Sequence, residues 1–366
     1  MIIKKLKAEK FRNIEKCDID FNPGINILYG DNAQGKTNAV EAMYIFARGK
    51  SFRSSEDKEL IKIGEEGFKI YIEYEDRNGI NSLEYVFLGK ERRRKKNGYK
   101  LEGVKEMIGN FKAVLFYPDD LLLVKGGPEE RRAFLNVAIS QCYNEYISYY
   151  HNYKKALENR NCLLKFSSKD MYIDENELIS WSHYLAEYAA HIYVIRKEYV
   201  EKLKNFSEKI MYDISSGSEK LEIFYKSDIK SEQTDLEKIK EYYRQIFTSE
   251  IEKEKRAGTT LYGVHRDDLV ININGNLARL FASQGQQRSI VLSLKLGEGE
   301  VNKSICGEYP VFLFDDVLSE LDENRKKYVL EGIGEKQIII TSCENIIEDK
   351  KEENKIKVIR GEYKNT

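Results

Sequence analysis

Gly30-Asp31-Asn32-Ala33-Gln34-Gly35-Lys36-Thr37 sets two glycines five positions apart and runs straight into a Lys-Thr pair. This is the spacing of a phosphate-binding loop, G-x-x-x-x-G-K-[ST]. Gly30 and Gly35 let the backbone curl until successive N–H groups face inward on an anion, and Asp31, Asn32, Ala33 and Gln34 complete the cradle. Lys36 reaches the outer phosphates, and the Thr37 hydroxyl is placed to ligate Mg²⁺. A helix starting at Thr37-Asn38-Ala39-Val40 aims its positive end at the same anion. The preceding Ile25-Asn26-Ile27-Leu28-Tyr29 is apolar and β-branched, so the order is strand, loop, helix, as the motif requires.

Two further clusters could serve the same chemistry. Val311-Phe312-Leu313-Phe314-Asp315-Asp316 is a buried strand whose carboxylates emerge at its end, where α/β sheets place their ligands. Asp315 is expected to hold Mg²⁺, directly or through water, and Asp316 to orient an attacking water. Ser319-Glu320-Leu321-Asp322 follows within a turn. Ser283-Gln284-Gly285-Gln286-Gln287 supplies a hydroxyl, a glycine and amides ahead of a helix expected from about Ser289, which makes a second phosphate-binding surface. Gln337-Ile338-Ile339-Ile340-Thr341-Ser342 is another buried strand, with Thr341 expected to sense a γ-phosphate. Arg53, in an unhelical basic segment, either helps bind nucleotide or is a solvated loop cation.

The elements that must position these residues follow from periodicity. Residues 1 to about 30 predict two strands and an Asn22-Pro23-Gly24 turn. From Phe68 to about Leu101 the period is two, with hairpin turns at Asn78-Gly79 and Asn97-Gly98: an antiparallel meander. Its last hairpin carries Lys90, Arg92, Arg93, Arg94, Lys95, Lys96 and Lys100, either a solvated edge or a phosphate contact. Between 129 and about 214 the period is helical, predicting two long facing helices joined by Ser167-Ser168-Lys169-Asp170, an arm with an aromatic core stripe. A further helix is expected over about 234–255, then a hairpin at Asn274-Gly275.

With 60 basic residues against 61 acidic, the overall field does not favour nucleic acid, so any such binding needs a local patch. Five scattered cysteines without a C-x-x-C pair and four histidines argue for reduced thiols and against a metal cluster. No signal-peptide pattern and no run of about 20 apolar residues is present, so the expected location is cytoplasmic, without a membrane anchor.

Taken in this order, the loop, Ser-Gln-Gly-Gln-Gln, the strand ending Asp-Asp and Ser-Glu-Leu-Asp resemble the ABC-type ATPase head of SMC proteins. Tyr117-Pro118-Asp119-Asp120-Leu121, Val124-Lys125-Gly126-Gly127-Pro128 with Arg131-Arg132-Ala133-Phe134-Leu135, and Gly263-Val264-His265-Arg266-Asp267-Asp268 narrow the resemblance to the RecF family. It covers nearly the whole chain. The resemblance implies an α/β fold, an ABC-type P-loop head built of a mixed sheet plus an antiparallel meander, with an inserted helical arm or lid. The expected boundaries are 1–118 and 257–366 for the head and 119–256 for the arm. It also implies ATP and Mg²⁺ as cofactors, an ATP-dependent homodimer, DNA bound at gaps and single-strand/duplex junctions, and action with RecO and RecR in loading RecA, in replication restart and in the SOS response. Asn136 stands where the family usually has Asp. Asp316 stands where transporter heads have Glu, which fits a weak, DNA-dependent ATPase serving as a switch. In such a head, residues 283–287 of one subunit are expected to close over the ATP held by residues 30–37 of the other. A transporter ATPase subunit is disfavoured by the helical arm between Gly30 and Ser283. A short SMC-like DNA tether is disfavoured by an arm too short to bridge.

Overall fold

The structure is a computed structural model and describes residues 1–169, 171–229, 234–332, 334–343 and 354–365. Asp170 of the expected helix link and the Glu320 side chain lie outside the described residues. The chain divides into two compact units: Met1–Leu121, Phe206–Lys220 and Ala282–Thr366 form the first, Leu122–Asn205 and Leu221–Phe281 the second. This differs from the sequence boundaries at three places. Residues 257–281 fall in the second unit because Asp268–Ile273 pairs there with Leu221–Lys226, while 119–121 and 206–220 fall in the first.

Three strands, not two, precede the phosphate loop: β1 (Ile2–Phe11), β2 (Ile14–Asp20) and β3 (Ile25–Tyr29). Charge alternation along β1 and β2 hides the hairpin between them in a sequence scan. These two join the meander β4 (Gly67–Asp76), β5 (Gly79–Leu88), β6 (Glu91–Lys96) and β7 (Tyr99–Leu101) in one antiparallel sheet of order β2-β1-β4-β5-β6-β7. The other sheet of the unit contains β8 (Ala113–Phe116), β12 (Val311–Asp315), β13 (Ile338–Ser342), β14 (Asn354–Ile359) and β15 (Glu362–Asn365), with order β15-β14-β3-β13-β12-β8. It is parallel except for β15. Strands β8, β12 and β13 are buried at every residue, which explains their unbroken apolar runs.

Helix α1 (Lys36–Arg48) is buried along all but its ends and touches β1 as well as β8, β12 and β13, so it lies between the two sheets. Side chains alternate along β12. Phe312 and Phe314 meet Phe116, Ile338, Ile340 and Leu292 of α10 (Gln284–Cys306), while Asp315 points to the α1 side. The Phe116 and Phe314 rings stack at 4.1 Å. The short helix α2 (Val104–Met107) follows β7, and α11 (Glu323–Glu331) lies between β12 and β13.

The second unit holds the short α3 (Leu122–Lys125), then α4 (Pro128–Cys142), α5 (Asn144–Ser167) and the larger part of α6 (Glu175–Ile214). The first long helix expected from the sequence is broken at Tyr143, whose φ of −124° and ψ of 100° are extended. The apolar period runs through the break because α4 and α5 share one core. Helices α5 and α6 are antiparallel: Tyr146 meets Arg196, Tyr149 stacks on His191 and Arg160 meets Ser182, partners descending as their mates ascend. Tyr146, Tyr153 and Tyr199 are buried, so the aromatic stripe is core. Strand β9 (Leu221–Lys226), α7 (Leu236–Ser249), α8 (Ile251–Ala257), β10 (Asp268–Ile273), β11 (Asn276–Leu277) and the short α9 (Ala278–Phe281) complete it, with sheet order β11-β10-β9. The single helix expected over 234–255 is thus two, and β9 was not foreseen. No helix among the described residues is long and apolar enough to cross a membrane.

Candidate nucleotide site

Strand β3 ends at Tyr29 and α1 begins at Lys36, so the six residues between them form the loop. Gly30 and Gly35 have φ of 151° and 115° and Ala33 has 63°, a backbone curl that only glycine adopts freely at the first two positions. A Cβ on Gly30 would lie 2.3 Å from the Val358 carbonyl oxygen. Asp31, Asn32 and Ala33 are exposed, and Gln34 is partly covered. Lys36 is buried, its Nζ donating to the carbonyls of Gly30 at 2.7 Å and Asp31 at 2.9 Å. The ammonium thus stands at the loop's mouth, held on weakly basic carbonyls that phosphate oxygens can replace as stronger, charged acceptors.

Asp315 is brought to the loop by the β13–β12 pairing. Its Oδ1 accepts from the Thr37 hydroxyl at 2.9 Å and from the Thr341 hydroxyl at 2.9 Å. Burial raises the Asp315 carboxyl to about 6, while both hydroxyl bonds and the Arg53 charge pull it down and Asp316 pushes it up. Thr37 and Asp315 present hard oxygens side by side, the donor set that suits a small divalent cation. Among the described residues no group of three or more His, Cys, Asp or Glu forms a metal cluster, so the remaining ligands would be phosphate oxygens and water. Asp316 has a left-handed φ of 53°, and its N–H donates to Thr341 Oγ1 at 2.9 Å. That turn swings the Asp316 side chain off the strand axis, where it is partly exposed.

Thr341 is the residue expected to sense a γ-phosphate. The residue is 1% exposed and its hydroxyl is committed to the two aspartates, so it orients them from behind. Arg53 is half-exposed, bonded to Asn38 Oδ1 at 3.0 Å and 3.7 Å from the Glu41 carboxylate, which puts it beside the first turn of α1.

Ser283 is the N-cap of α10, so the helix starts at Gln284 and not near Ser289. The Ser283 hydroxyl accepts from the Gln286 N–H at 3.2 Å, and the Gln286 side chain accepts from the Ser283 N–H at 2.9 Å. This reciprocal cap places residues 284–287 in the first turn, with their N–H groups at the exposed helix start. The N–H groups of Gln286 and Gln287 are taken up by Ser283, so the backbone donors outside the cap are those of Gln284 and Gly285, and Gly285 carries no side chain to block them. No described hydrogen bond or ion pair joins residues 283–287 to residues 30–37. The structure assembles the loop, Thr37, Asp315, Asp316 and Thr341 through the bonds given above, and Ser283, Gln284, Gly285 and Gln286 form the start of α10.

Several residues in the site gave no sequence signal. Cys343 Sγ lies 2.8 Å from Asn32 Oδ1 and 4.0 Å from Lys36 Nζ. Asn13, in the β1–β2 turn, bonds Ala33 O and Asn38. Arg325 of α11 donates through Nε to Ser289 Oγ at 2.8 Å and pairs with Asp322, tying the start of α10 to the segment after the Asp-Asp strand. All depend on strands distant in sequence. For Ser283 the signal was present as the S-x-x-Q capping pattern.

Residues 2–365 match the family described as RecF/RecN/SMC N terminal domain. The chain is 40% identical over 348 residues to the DNA replication and repair protein RecF of Clostridioides difficile (strain 630), covering 94% of this chain and 92% of that one. With the protein of the same name from Bacillus cereus (strain G9842) the identity is 41% over 344 residues, covering 93% and 92%. A solved structure of the recombination mediator protein RecF-ATP in the RecFOR pathway superposes with a TM-score of 0.92 at 36% identity, covering 100% of this chain and 97% of that one. An Smc head domain from Pyrococcus furiosus shares the fold, with a TM-score of 0.58 at 18% identity.

Proposed function

Because the chain belongs to the RecF family of DNA replication and repair proteins, we propose that it is an ATP-dependent DNA-binding protein of recombinational repair, dimeric when ATP is bound. The observation that carries this is the convergence of Thr37 and Thr341 on one oxygen of Asp315 beneath the Lys36 loop. Gly30, Asp31, Asn32, Ala33, Gln34 and Gly35 hold the phosphates through backbone N–H groups, and Lys36 exchanges its loop carbonyls for them. Thr37 and Asp315 hold Mg²⁺, which when bound neutralises charge on the phosphates. Asp316 accepts a proton from, and so orients, the hydrolytic water, while Arg53 adds positive charge at the α1 end of the site.

Residues 283–287, with helix N–H groups at an exposed start, are the surface that a second subunit's ATP would meet. On this reading hydrolysis is slow, stimulated by DNA, and acts as a switch on the dimer. Its targets are gapped DNA and single-strand/duplex junctions, and its partners RecR and RecO, which lead to RecA loading, replication restart and the SOS response. The location is cytoplasmic. Family membership displaces the transporter-subunit and tether alternatives.

Sedimentation with and without ATP, repeated with gapped and blunt duplex, tests the proposal. A dimer that requires ATP and prefers the gapped substrate is expected. Lys36→Ala should abolish the ATP-driven dimer with the fold intact, and unchanged ATP affinity in that variant would remove Lys36 from the site.

A further inference from the structure

The β14–β15 hairpin grips the phosphate loop from its convex side. Three consecutive loop carbonyls accept bonds from outside the loop: Ala33 from Asn13 Nδ2 at 3.2 Å, Gln34 from the Gly361 N–H at 2.8 Å, and Gly35 from the Tyr363 hydroxyl at 2.8 Å. Gln34 is held a second time, its side-chain oxygen accepting from the Arg360 N–H. The hairpin reaches the loop with a two-residue turn, Arg360 and Gly361, both at positive φ (50° and 78°), between the paired Ile359 and Glu362.

A trans peptide is planar, with its C=O and N–H on opposite sides. Donors placed on the carbonyls of Ala33, Gln34 and Gly35 therefore fix the directions of the Gln34, Gly35 and Lys36 N–H groups and turn them to the concave side, where an anion sits. A bonded carbonyl also polarises its peptide, which makes the opposite N–H a better donor. The Gly35 carbonyl already accepts from the N–H groups of Asn38 and Ala39 at 3.0 and 3.1 Å. Tyr363 thus adds a third donor to a carbonyl that the helix already orients, and its effect is to hold and further polarise the Gly35–Lys36 peptide.

We propose that the β14–β15 hairpin pre-organises the phosphate loop and that Tyr363 is a positioning residue for nucleotide, acting through the Gly35–Lys36 peptide. The inference rests on the nucleotide reading above. Donors already aimed at the phosphates need no ordering when nucleotide arrives, and that saving enters the affinity directly.

Tyr363→Phe keeps the ring and removes the hydroxyl. Titration calorimetry of wild type and variant with ATP and with ADP, alongside the melting temperature of each nucleotide-free protein, decides the matter. The expected result is about a fivefold loss of affinity, equivalent to about 1 kcal/mol, equal for ATP and ADP because both carry the β-phosphate, with the nucleotide-free melting temperature unchanged. Wild-type affinity in the variant overturns the inference and leaves the nucleotide reading standing. Affinity and nucleotide-free melting temperature falling together also overturn it, since Tyr363 would then only stabilise the fold. A wild-type protein that binds neither nucleotide overturns both readings.

Discussion

At Asp315 one carboxylate oxygen receives two hydroxyls, while the next residue turns left-handed and its carboxylate meets the Thr341 hydroxyl only at 3.5 Å. Two adjacent acids thus acquire different tasks through backbone geometry alone. Asp316→Asn should leave ATP bound and slow its hydrolysis about a hundredfold or more, the usual scale for a lost proton acceptor, as read by single-turnover assay. Hydrolysis at the wild-type rate would remove Asp316 from the mechanism. His265 offers a test of stability. Its Nδ1 lies 2.6 Å from the Tyr153 hydroxyl and its Nε2 3.3 Å from the Thr260 carbonyl, so the neutral ring accepts at one nitrogen and donates at the other. Burial pushes its pKa down to about 4. The unfolded chain takes up this proton near the ordinary 6.5, so between pH 6.5 and 4 unfolding binds a proton and stability falls as pH falls. Denaturant titrations should show up to about 3 kcal/mol lost across that window through this residue, and none above it. His265→Gln should remove this slope from the variant, so the wild-type-minus-variant difference changes between pH 6.5 and 4, and a difference independent of pH would refute the assignment. The acids and the loop were legible because their chemistry needs fixed spacing. Tyr363 and Asn13 were not, since a hydroxyl or an amide acquires meaning only when a distant strand brings it to a carbonyl.

Among elements, the basic hairpin changes most in meaning once its neighbours are known. Arg92 pairs with Asp57 at 2.6 Å and lies over the Phe87 ring, Lys95 lies 3.4 Å from Glu84, and Lys96 donates to Asn110 at 2.6 Å. Cations already neutralised locally release few counterions from a duplex. Arg92→Gln with Lys95→Gln should therefore change the log K against log[salt] slope by less than about 0.9, the value for one phosphate contact. A change near 1.8 would make both residues DNA ligands. The meander itself was legible from period-two alternation and two Asn-Gly turns. The break at Tyr143 was not, because the helical period continues across it, and β9 was not, because the strand it pairs with, β10, lies far along the chain beyond two helices. The start of α10 was misplaced because Gly285 and three glutamines interrupt the apolar pattern on which a helix is ordinarily recognised.

For the molecule as a whole, the shared-site proposal makes a prediction that neither subunit alone can satisfy. Lys36→Ala mixed with Ser283→Arg gives a heterodimer in which one composite site carries both lesions and the other none. Once the heterodimer is shown to form, one occluded ATP per dimer and partial recovery of ATPase are expected, and absence of that ATP would refute sharing. Sheet order carries a separate consequence. The strand that ends in the phosphate loop, β3, is flanked by β13 and β14, which begin at Ile338 and Asn354. A ribosome therefore delivers the loop early and both of its neighbours last. Until then β3 has two open edges, and Tyr363, which bonds the loop from β15, has not yet been made. Such late, long-range pairing folds slowly and leaves an edge open to wrong partners in the meantime. A chain cut short before Ile338 would carry the loop with neither neighbour of β3 in place, so the loop's sheet setting is a property of the finished chain alone.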